Sequence, residues 1–288
     1  MEKGKLLVSI IIATRNEERN VENCIRSIQK QTYPPDLMEI IVVDNDSQDR
    51  TRAIAEKLTG KVYNLPEHVS LERVKNFRGA QVNLGVNQCN GDIIFFPDAD
   101  MTLDPNLIAN AVDEITQNGM NALYVPEIIC GHGFFGRIRR FERSFYDETC
   151  IDAVRIVRKV DFLKVSGFDC SNIAFGPDDW DLTKALKKND VKLGTTAYPL
   201  YHHEEWMTVR MYLEKKAKYT VTFDDYVRKW GKDDPDIRKQ FGFGYRYFGV
   251  FLENRKWMRL LLHPVLTLGV YLFRFMVGIA YITRKKSQ

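Results

Sequence analysis

Two aspartates, Asp98 and Asp100, form the clearest candidate site in the sequence. They are separated by one alanine and come directly after the apolar segment 92–97. If that segment is a strand, both carboxylates lie at its carboxyl end, where one can hold a divalent cation and the other can accept hydrogen bonds from a sugar hydroxyl. Mg²⁺ and Mn²⁺ favour oxygen ligands and often combine one or two carboxylates with substrate phosphates. The alternative interpretation is an acidic turn before the next helix.

Polar residues also follow the first two apolar segments of the chain. Segment 14–17 is Thr-Arg-Asn-Glu, and segment 44–51 is Asp-Asn-Asp-Ser-Gln-Asp-Arg-Thr. Asp44 can accept a hydrogen bond from a nucleotide base, whereas Asp46 and Ser47 are candidates for capping the helix that follows. Helix capping is also the alternative for segment 14–17.

Two later clusters complete the candidate set. Asp178, Asp179 and Asp181 stand where a helix is expected to begin. Such carboxylates either interact favourably with the helix dipole or supply a general base for an acceptor hydroxyl. His202 and His203 either provide an imidazole ligand to a cation or belong to an ordinary surface loop.

The elements that must position these residues alternate between strands and helices, which predicts an α/β fold with a Rossmann-like, doubly wound and mostly parallel sheet. Ligands bind such a sheet at the carboxyl ends of its strands, so we expect the first three polar segments to share one edge. The strand candidates are residues 6–13, 39–43, 61–63, 92–96 and 122–129, and the helix candidates are residues 17–31, 50–58, 79–88 and 105–117.

The pattern changes after residue 131. Phe134, Ile138, Phe141 and Phe145 recur at helical spacing among several arginines. This stripe predicts either a core helix with a solvated basic face or a segment that lies on a membrane or against a phosphorylated acceptor. Further helices are expected at residues 179–188 and 207–230, with short strands at 191–195 and 198–201.

Another glycine pattern, G-x-G-x-x-G over residues 131–136, resembles a dinucleotide-binding loop. It does not follow the first strand and contains two phenylalanines, so we exclude that function.

Composition and charge limit the classes of protein to which the chain can belong. The chain has 288 residues, 44% of them hydrophobic and 28% charged, which favours a folded core over disorder. The net charge is +4, but residues 205–288 contain 17 lysines and arginines against 8 acidic residues. This basic region suits an anionic surface, which we predict to be a membrane and not a nucleic acid. The five cysteines lack zinc-ligand spacing, which indicates reduced thiols.

Taken together, these motifs resemble those of the inverting glycosyltransferases of family 2, which have the GT-A fold. The resemblance covers roughly residues 6–205 and depends on the order of its motifs. These are Thr14-Arg15-Asn16-Glu17, Val43 through Thr51, Arg78-Gly79-Ala80 through Asn83, Asp98-Ala99-Asp100, Gly167-Phe168-Asp169 and Asp178-Asp179-Trp180-Asp181-Leu182.

The resemblance implies roles for these residues. Asp44 and Glu17 would contact the nucleotide base and ribose, and Asp98 the ribose or the sugar. Asp100 would hold Mn²⁺ or Mg²⁺ on the diphosphate, with His202 or His203 as a further ligand. Asp179 would be the general base, with Asp178 beside it as the other member of the catalytic pair. The full set implied to bind the nucleotide-diphosphate sugar is Thr14, Arg15, Glu17, Asp44, Asp46, Arg78 and Asp98.

The sequence also departs from the family pattern. Ala13, Asp46 and Asp178 stand where proline, glycine and glutamate are usual, and the chain has no QxxRW pattern. The last departure favours transfer of a single sugar over processive synthesis. Two alternatives are a catalytically silent, membrane-bound scaffold that binds nucleotide sugars and a sugar-phosphate nucleotidylyltransferase.

The carboxyl-terminal region has the composition of a membrane anchor. Residues 260–283 are strongly apolar, although His263, Pro264 and Arg274 interrupt them, and we expect the anchor segment at about residues 257–283. A helical span would bury Arg274 near its middle, at about 2.5–3.5 kcal/mol, so a re-entrant or interfacial anchor is favoured. The alternative is a helix packed on the catalytic domain or across a dimer.

These features predict two regions and a location. Residues 1–205 form the catalytic domain, with a nucleotide-sugar half up to about residue 104 and an acceptor half from 105, and residues 206–288 form a helical, basic, membrane-associating region. We expect the protein at the cytoplasmic face of a membrane, acting on a lipid-linked or glycolipid acceptor.

Overall fold

The computed structural model describes residues 6–219 and 222–285 of the chain. Its strands are β1 (Val8–Thr14), β2 (Met38–Asp44), β3 (Val62–Asn64), β4 (Ile93–Phe95), β5 (Met101–Leu103), β6 (Ala122–Tyr124), β7 (Glu127–Cys130), β8 (Val154–Arg158), β9 (Leu193–Thr195) and β10 (Leu200–His203).

The helices form two series. The first is α1 (Val21–Gln29), α2 (Thr51–Leu58), α3 (Phe77–Gln88), α4 (Leu107–Thr116), α5 (Gly133–Arg143), α6 (Lys159–Lys164) and α7 (Asp178–Lys188). The second is α8 (Val209–Tyr219), α9 (Phe223–Trp230), α10 (Pro235–Phe241), α11 (Val250–Leu252), α12 (Met258–Leu262) and α13 (Pro264–Lys285), with a π-helix at Tyr245–Gly249 before α11.

The chain divides into two compact units. The first contains residues 1–126 and 153–202, and the second contains residues 127–152 and 203–288. The predicted boundary near residue 205 lies close to the junction at residues 202 and 203. Segment 127–152, which we expected in the catalytic domain, belongs to the second unit.

A seven-stranded sheet of order β3-β2-β1-β4-β8-β6-β9 forms the centre of the first unit. Neighbouring strands from β3 to β4 are parallel, as are β6 and β9, while β8 runs antiparallel to both of its neighbours. The predicted α/β, doubly wound and mostly parallel sheet is therefore confirmed.

Helices cover both faces of this sheet, which is why β1 and β2 consist of nearly continuous apolar residues. Ile10 and Ile12 of β1 belong to one buried cluster and Ile11 to the other, because successive side chains alternate between the faces of a strand. In α1, Val21, Cys24, Ile25 and Ile28 are buried at the spacing of one helical face.

Two predicted elements differ from the structure, and strands β5 and β8 have no counterpart among the predictions. The strand expected at 122–129 is two strands, β6 and β7, because Pro126 interrupts the run and cannot donate to a ladder. The helix expected at 207–230 is α8 and α9, and residues 220 and 221 of that prediction lie outside the described residues.

In the second unit, α5 is a core helix. Ile138, Phe141 and Phe145 are buried against Val270 and Phe273 of α13, whereas Phe134 is exposed. The expected solvated basic face is wrong in part, because two of its arginines are buried in ion pairs. Arg139 and Arg143 pair with carboxylates of the same unit, at Glu142, Glu204, Glu127, Asp147 and Asp152.

The glycines at the start of α5 have a packing role. A Cβ atom on Gly136 would lie 2.2 Å from the carbonyl carbon of Gly131, so neither position has room for a side chain. This close approach explains the first and last glycines of the G-x-G-x-x-G pattern, whereas Gly133 lies in open space at a φ of +62°.

Helix α13 has a buried face and an exposed one. Arg274 points inward, where its Nε donates to Glu142 at 2.8 Å and its guanidinium stacks over Phe251. We call the opposite side, with the adjoining part of α12, the apolar face; its exposed members are Leu261, Leu262, Val265, Leu268, Leu272, Phe275, Met276 and Ile279. Among the described helices, none combines the length and hydropathy needed to cross a membrane.

Candidate functional site

The candidate site lies at the carboxyl ends of β1, β2 and β4, as the order of the elements predicts. Thr14 and Asp44 are register partners at the ends of β1 and β2, and the Thr14 hydroxyl donates to Asp44 at 3.0 Å. Gln81 of α3 donates from its amide to the carbonyls of Thr14 and Val43. Ala13 bridges to Asp98, which brings the third polar segment to the same edge.

Two arginines bind the Asp98 carboxylate. Arg78 Nε lies 2.6 Å from one carboxylate oxygen, and Arg155 Nη1 lies 3.2 Å from the other. Burial alone would raise the pKa of Asp98, but the neighbouring charges of Arg78 and Arg155 hold it well below its usual range. Asp98 is therefore ionised at every pH at which the protein is expected to work.

Arg78 also connects Asp98 to the start of α7. Its Nη1 donates to Asp179 at 2.9 Å and lies 3.5 Å from Asp178. Its Nη2 is buried, and no hydrogen-bond acceptor contacts it among the described residues. A buried guanidinium N–H without a partner is costly, so an acceptor oxygen of a bound substrate would be favourable there.

The two aspartates at the start of α7 have different surroundings. Asp178 is almost fully buried and accepts hydrogen bonds from the Asn76 amide at 3.0 Å and the Gly176 N–H at 2.8 Å. Asp179 is partly exposed. Burial and the charge of Asp179 raise the pKa of Asp178 to about 6. These positions suit Asp179 to meet a substrate and Asp178 to hold the helix start.

The raised pKa of Asp178 predicts a stability change with pH. Its carboxyl group has an ordinary value of 3.8 and titrates near 6 in the folded protein, so it contributes stability below about pH 4 that is lost as the pH rises through about 6. D178N removes this titration. We expect the free energy of unfolding of D178N, relative to wild type, to rise by up to about 3 kcal/mol between pH 4 and 7.

Chemical denaturation at several pH values measures this difference. Asp190 lies beyond the end of α7 at a φ of +59°, which asparagine also tolerates, so D190N is the matched control. A D178N difference that is the same at both pH values would contradict the assignment.

Asp100 and His202 form a second pair in the first unit. His202 Nε2 lies 3.1 Å from Asp100 Oδ2, because β10 pairs with β5 directly after the aspartate. Burial raises the pKa of Glu17, and the charges of Asp100 and Asp98 add to this effect. A carboxylate and an imidazole this close fit a divalent cation such as Mn²⁺, with its other positions open to phosphate oxygens.

His203 belongs to another group of side chains. Its Nδ1 lies 2.9 Å from Glu205 Oε1, and together with Cys130 these residues offer three ligand atoms within 4.8 Å of one another. Adjacent residues of a strand point to opposite faces, so the two histidines of β10 serve different surroundings.

Other predicted site residues have simpler surroundings. Arg15 and Asp46 are exposed. Asp46 has a φ of +53°, which explains why glycine is usual at this position in the family that the sequence resembles. The capping roles predicted for Asp46 and Ser47 are wrong, because Asp49 accepts the first N–H of α2, at Thr51. Ser47 donates to Asp44 instead.

Sequence reasoning missed three residues of the site, which are Arg155, Asn76 and Gln81. Arg155 lies on β8, whose alternation of valine, isoleucine and arginine over residues 154–158 is a strand signal. Asn76 accepts the Gly79 N–H as the N-cap of α3 while its amide donates to Asp178. No sequence pattern distinguishes Gln81.

Comparisons with known proteins identify relatives of this chain. The family described as Glycosyl transferase family 2 matches residues 9–173. The glycosyltransferase AglE of Haloferax volcanii is 33% identical over 114 residues, 40% of this chain and 37% of AglE. The dolichol-phosphate mannosyltransferase of Pyrococcus furiosus is 33% identical over 112 residues, 39% of this chain and 30% of the relative. Both aligned regions span less than two fifths of the relative.

A solved structure extends the likeness to the fold. The mannosyltransferase PcManGT of Pyrobaculum calidifontis, in complex with GDP-Man and Mn²⁺, matches 97% of this chain and 85% of its own with a TM-score of 0.64 and 18% identity. That structure has the same architecture as the chain described here.

Proposed function

The chain belongs to glycosyl transferase family 2, and from this premise we propose that it moves one sugar from a nucleotide-diphosphate sugar to a lipid-linked or glycolipid acceptor, with inversion at the anomeric carbon. The observation that carries the proposal is the Arg78 bridge, which joins Asp98 of the donor edge to Asp179 of α7. The family match speaks against the nucleotidylyltransferase alternative.

Donor binding is proposed for the edge formed by β1, β2 and β4. Glu17 and Asp98 supply hydrogen-bond acceptors, and Arg78 supplies a positive charge that Asp98 holds in place. Asp44 holds the loop after β2 by accepting hydrogen bonds from Thr14 and Ser47. The remaining members of the proposed set are Thr14, Arg15 and Asp46. PcManGT is described with GDP-Man, which supports a nucleotide-sugar donor for this chain.

A divalent cation is proposed at Asp100 and His202, because their carboxylate and imidazole lie 3.1 Å apart. Mn²⁺ in PcManGT supports this assignment, and Mg²⁺ is the other candidate. When bound, such a cation supplies positive charge beside a leaving diphosphate. Arg78 keeps its own charge near the same edge, since the three aspartates around it outweigh the effect of burial on its pKa.

The side chains of the protein are proposed to remove the proton of the acceptor hydroxyl and to orient the carboxylate that takes it. Asp179 would accept the proton of the acceptor hydroxyl as that oxygen attacks the anomeric carbon from the face opposite the diphosphate. A single displacement of this kind inverts the configuration. Arg78 positions the Asp179 carboxylate, and Asp178 holds the first turn of α7 through Asn76 and Gly176.

A thermal-shift series of nucleotide diphosphates and nucleotide sugars, with and without Mn²⁺, tests the donor assignment. A ligand at about 100 times its dissociation constant should stabilise the protein by about 2.7 kcal/mol, and only with the cation present. Hydrolysis or transfer of the preferred donor then separates an enzyme from a silent scaffold. Stabilisation by no nucleotide sugar under any metal condition would contradict the proposal.

A membrane-borne acceptor is proposed from the apolar face of α12 and α13. An exposed apolar patch of this kind marks an interaction surface, and the relative from Pyrococcus furiosus carries a lipid phosphate in its name. Because Arg274 points inward, the face can lie in a lipid interface without burying that charge in hydrocarbon. This is compatible with the peripheral, monotopic position that we propose, and the cytoplasmic face of the membrane stays a prediction from the sequence.

Substitution on the apolar face tests this arrangement better than removal of α13, because Val270 and Phe273 of that helix are core residues. We expect L272D to weaken binding to vesicles that contain phosphatidylglycerol by about tenfold, since a buried leucine side chain contributes about 1.5–3 kcal/mol. Vesicle sedimentation measures the change.

The matched control is L163D, at an exposed leucine of the first unit. It should bind vesicles as wild type does. If L272D and wild type bind vesicles equally, another surface meets the membrane. If the wild-type protein is a dimer that L272D dissociates and L163D does not, a second copy covers the apolar face.

A further inference from the structure

Three side chains of different chemistry meet at the ends of β7 and β10. The Cys130 thiol, an imidazole nitrogen of His203 and a carboxylate oxygen of Glu205 all lie within 4.8 Å of one another. Within this group, His203 Nδ1 lies 2.9 Å from Glu205 Oε1. All three residues belong to the second unit, and we call them the Cys–His–Glu group.

The backbone holds the cysteine of this group in place. Arg140 Nε donates to the carbonyl of Ile129, the residue before Cys130, at 2.7 Å. The Glu204 N–H donates to the carbonyl of Cys130 itself at 3.1 Å, which joins the end of β7 to the end of β10. The thiol is therefore held beside its two partners by the fold, and a ligand set of this kind is strongest on ordered elements.

The neighbouring glutamate has different surroundings. Glu204 is buried and lies 3.3 Å from Arg139 Nε in an ion pair. Cys130, His203 and Glu205 are all half-buried. An ion can therefore reach the three ligand atoms from solvent, whereas the carboxylate of Glu204 is engaged inside the unit.

The spacing and the donor set of the Cys–His–Glu group fit zinc. Zinc bonds of about 2.3 Å to sulfur and about 2.0–2.2 Å to nitrogen and oxygen place the ligand atoms of a tetrahedral site about 3.5 Å apart. That separation lies between the 2.9 Å of the histidine–glutamate contact and the 4.8 Å that bounds the group. A thiolate with an imidazole favours zinc over Mn²⁺ and Mg²⁺, which prefer oxygen ligands.

We propose that Cys130, His203 and Glu205 bind a zinc ion, with a fourth position open to water. The ion ties the end of β7 to the segment after β10, which are distant parts of the chain within the second unit. Such a link stabilises the folded protein, because the ligands come together only after folding. The spacing of the cysteines does not indicate this site, since its other two ligands come from a different segment. The site shares no side chain with the Asp100–His202 pair and does not depend on the transfer reaction.

The test uses the full chain, freed of metal with a chelator and titrated with Co²⁺ and then Zn²⁺. Co²⁺ bound to a thiolate gives a charge-transfer band in the near ultraviolet, and Zn²⁺ should abolish the band by displacing Co²⁺. C130S, H203N and E205A each remove one ligand, and C150S is the matched control at another half-buried cysteine of the second unit.

Each ligand variant is expected to weaken Zn²⁺ binding at least about tenfold, since even the loss of a hydrogen-bond partner of a metal ligand costs about 10–100-fold. C150S should bind Zn²⁺ as wild type does. D100A should keep the charge-transfer band, which separates this site from the proposed donor cation. Co²⁺ binding without the band, or equal Zn²⁺ affinity in C130S and wild type, would overturn the proposal.

Protection of the thiols in the wild-type protein provides a measurement that does not depend on whether a variant folds. With Zn²⁺ at about 100 times its dissociation constant, only about one molecule in a hundred lacks the ion, so alkylation of Cys130 by iodoacetamide should slow at least about tenfold. Alkylation of Cys150 should stay unchanged, and mass spectrometry of peptides measures both rates. Equal alkylation of Cys130 with and without Zn²⁺ would show that its thiol is not a ligand.

Discussion

D179N is expected to lower the rate of sugar transfer by about 10²–10⁴-fold while nucleotide affinity stays nearly unchanged. The amide cannot accept the proton of the attacking hydroxyl, but it is nearly the same size and can still accept a hydrogen bond from Arg78, which lies 2.9 Å away in the wild-type protein. Initial rates with the preferred donor, together with donor affinity from thermal shifts, measure the two quantities separately.

D190N is again the matched control, since it makes the same chemical change at the other end of α7. It should transfer sugar at the wild-type rate. If D179N retains more than about a tenth of that rate, general-base catalysis by Asp179 is excluded, because such catalysis is expected to contribute at least about a hundredfold.

The same assay distinguishes the two aspartates at the start of α7. Asp178 is held by Asn76 and Gly176 and is almost fully buried, so it is expected to act on the position of the helix and not on the acceptor proton. D178N should therefore keep a larger share of the activity than D179N. The reverse order would make Asp178 the base and Asp179 its support.

The sheet edge could be predicted because its determinants are local. β1 and β2 are nearly continuous apolar runs that end in polar residues, and parallel strands put those ends together. Thr14, Asp44 and Asp98 consequently lie where the sequence places them. The stabilising contacts that hold them there involve residues that no local pattern indicates.

Arg155 shows why the rest was missed. It contacts Asp98 from β8, which follows β4 and β6 in the chain but lies between them in the sheet, antiparallel to both. Pairing between strands distant in sequence depends on the fold of the whole unit, so neither the position of β8 nor the partner of Arg155 follows from periodicity. The Arg78–Asp179 pair has the same origin, because 101 residues separate its members.

Arg274 shows a second limit of sequence reasoning. Its charge within an apolar segment is unusual for a span, and its partner Glu142 lies on α5, 132 residues earlier. The apparent interruption of the apolar run is therefore a polar contact on the inner side of α13. The outer side carries exposed apolar residues over several turns. Hydropathy averaged along the sequence does not distinguish these residues from those on the inner side.

Loss of the proposed cation site gives the second large effect. We expect D100A to lower the rate of transfer at least a hundredfold, because a cation beside a leaving diphosphate contributes several kcal/mol to the transition state and about 1.4 kcal/mol corresponds to tenfold. H202N should reduce the rate and also raise the Mn²⁺ concentration needed for half-maximal activity. Removing the metal from the wild-type enzyme with a chelator should have an effect similar to that of D100A.

The histidines of β10 provide an internal comparison for this prediction. His202 lies 3.1 Å from Asp100, whereas His203 contacts Glu205, so H203N should leave the dependence on Mn²⁺ nearly unchanged. H68N makes the same substitution at an exposed histidine of the first unit and serves as the control. Since a ligand acts on metal affinity and a purely structural residue does not, a shift in the Mn²⁺ requirement identifies the ligand. If H203N shifts that requirement and H202N does not, the cation is bound on the other side of β10, and the role proposed for the Asp100–His202 pair is wrong.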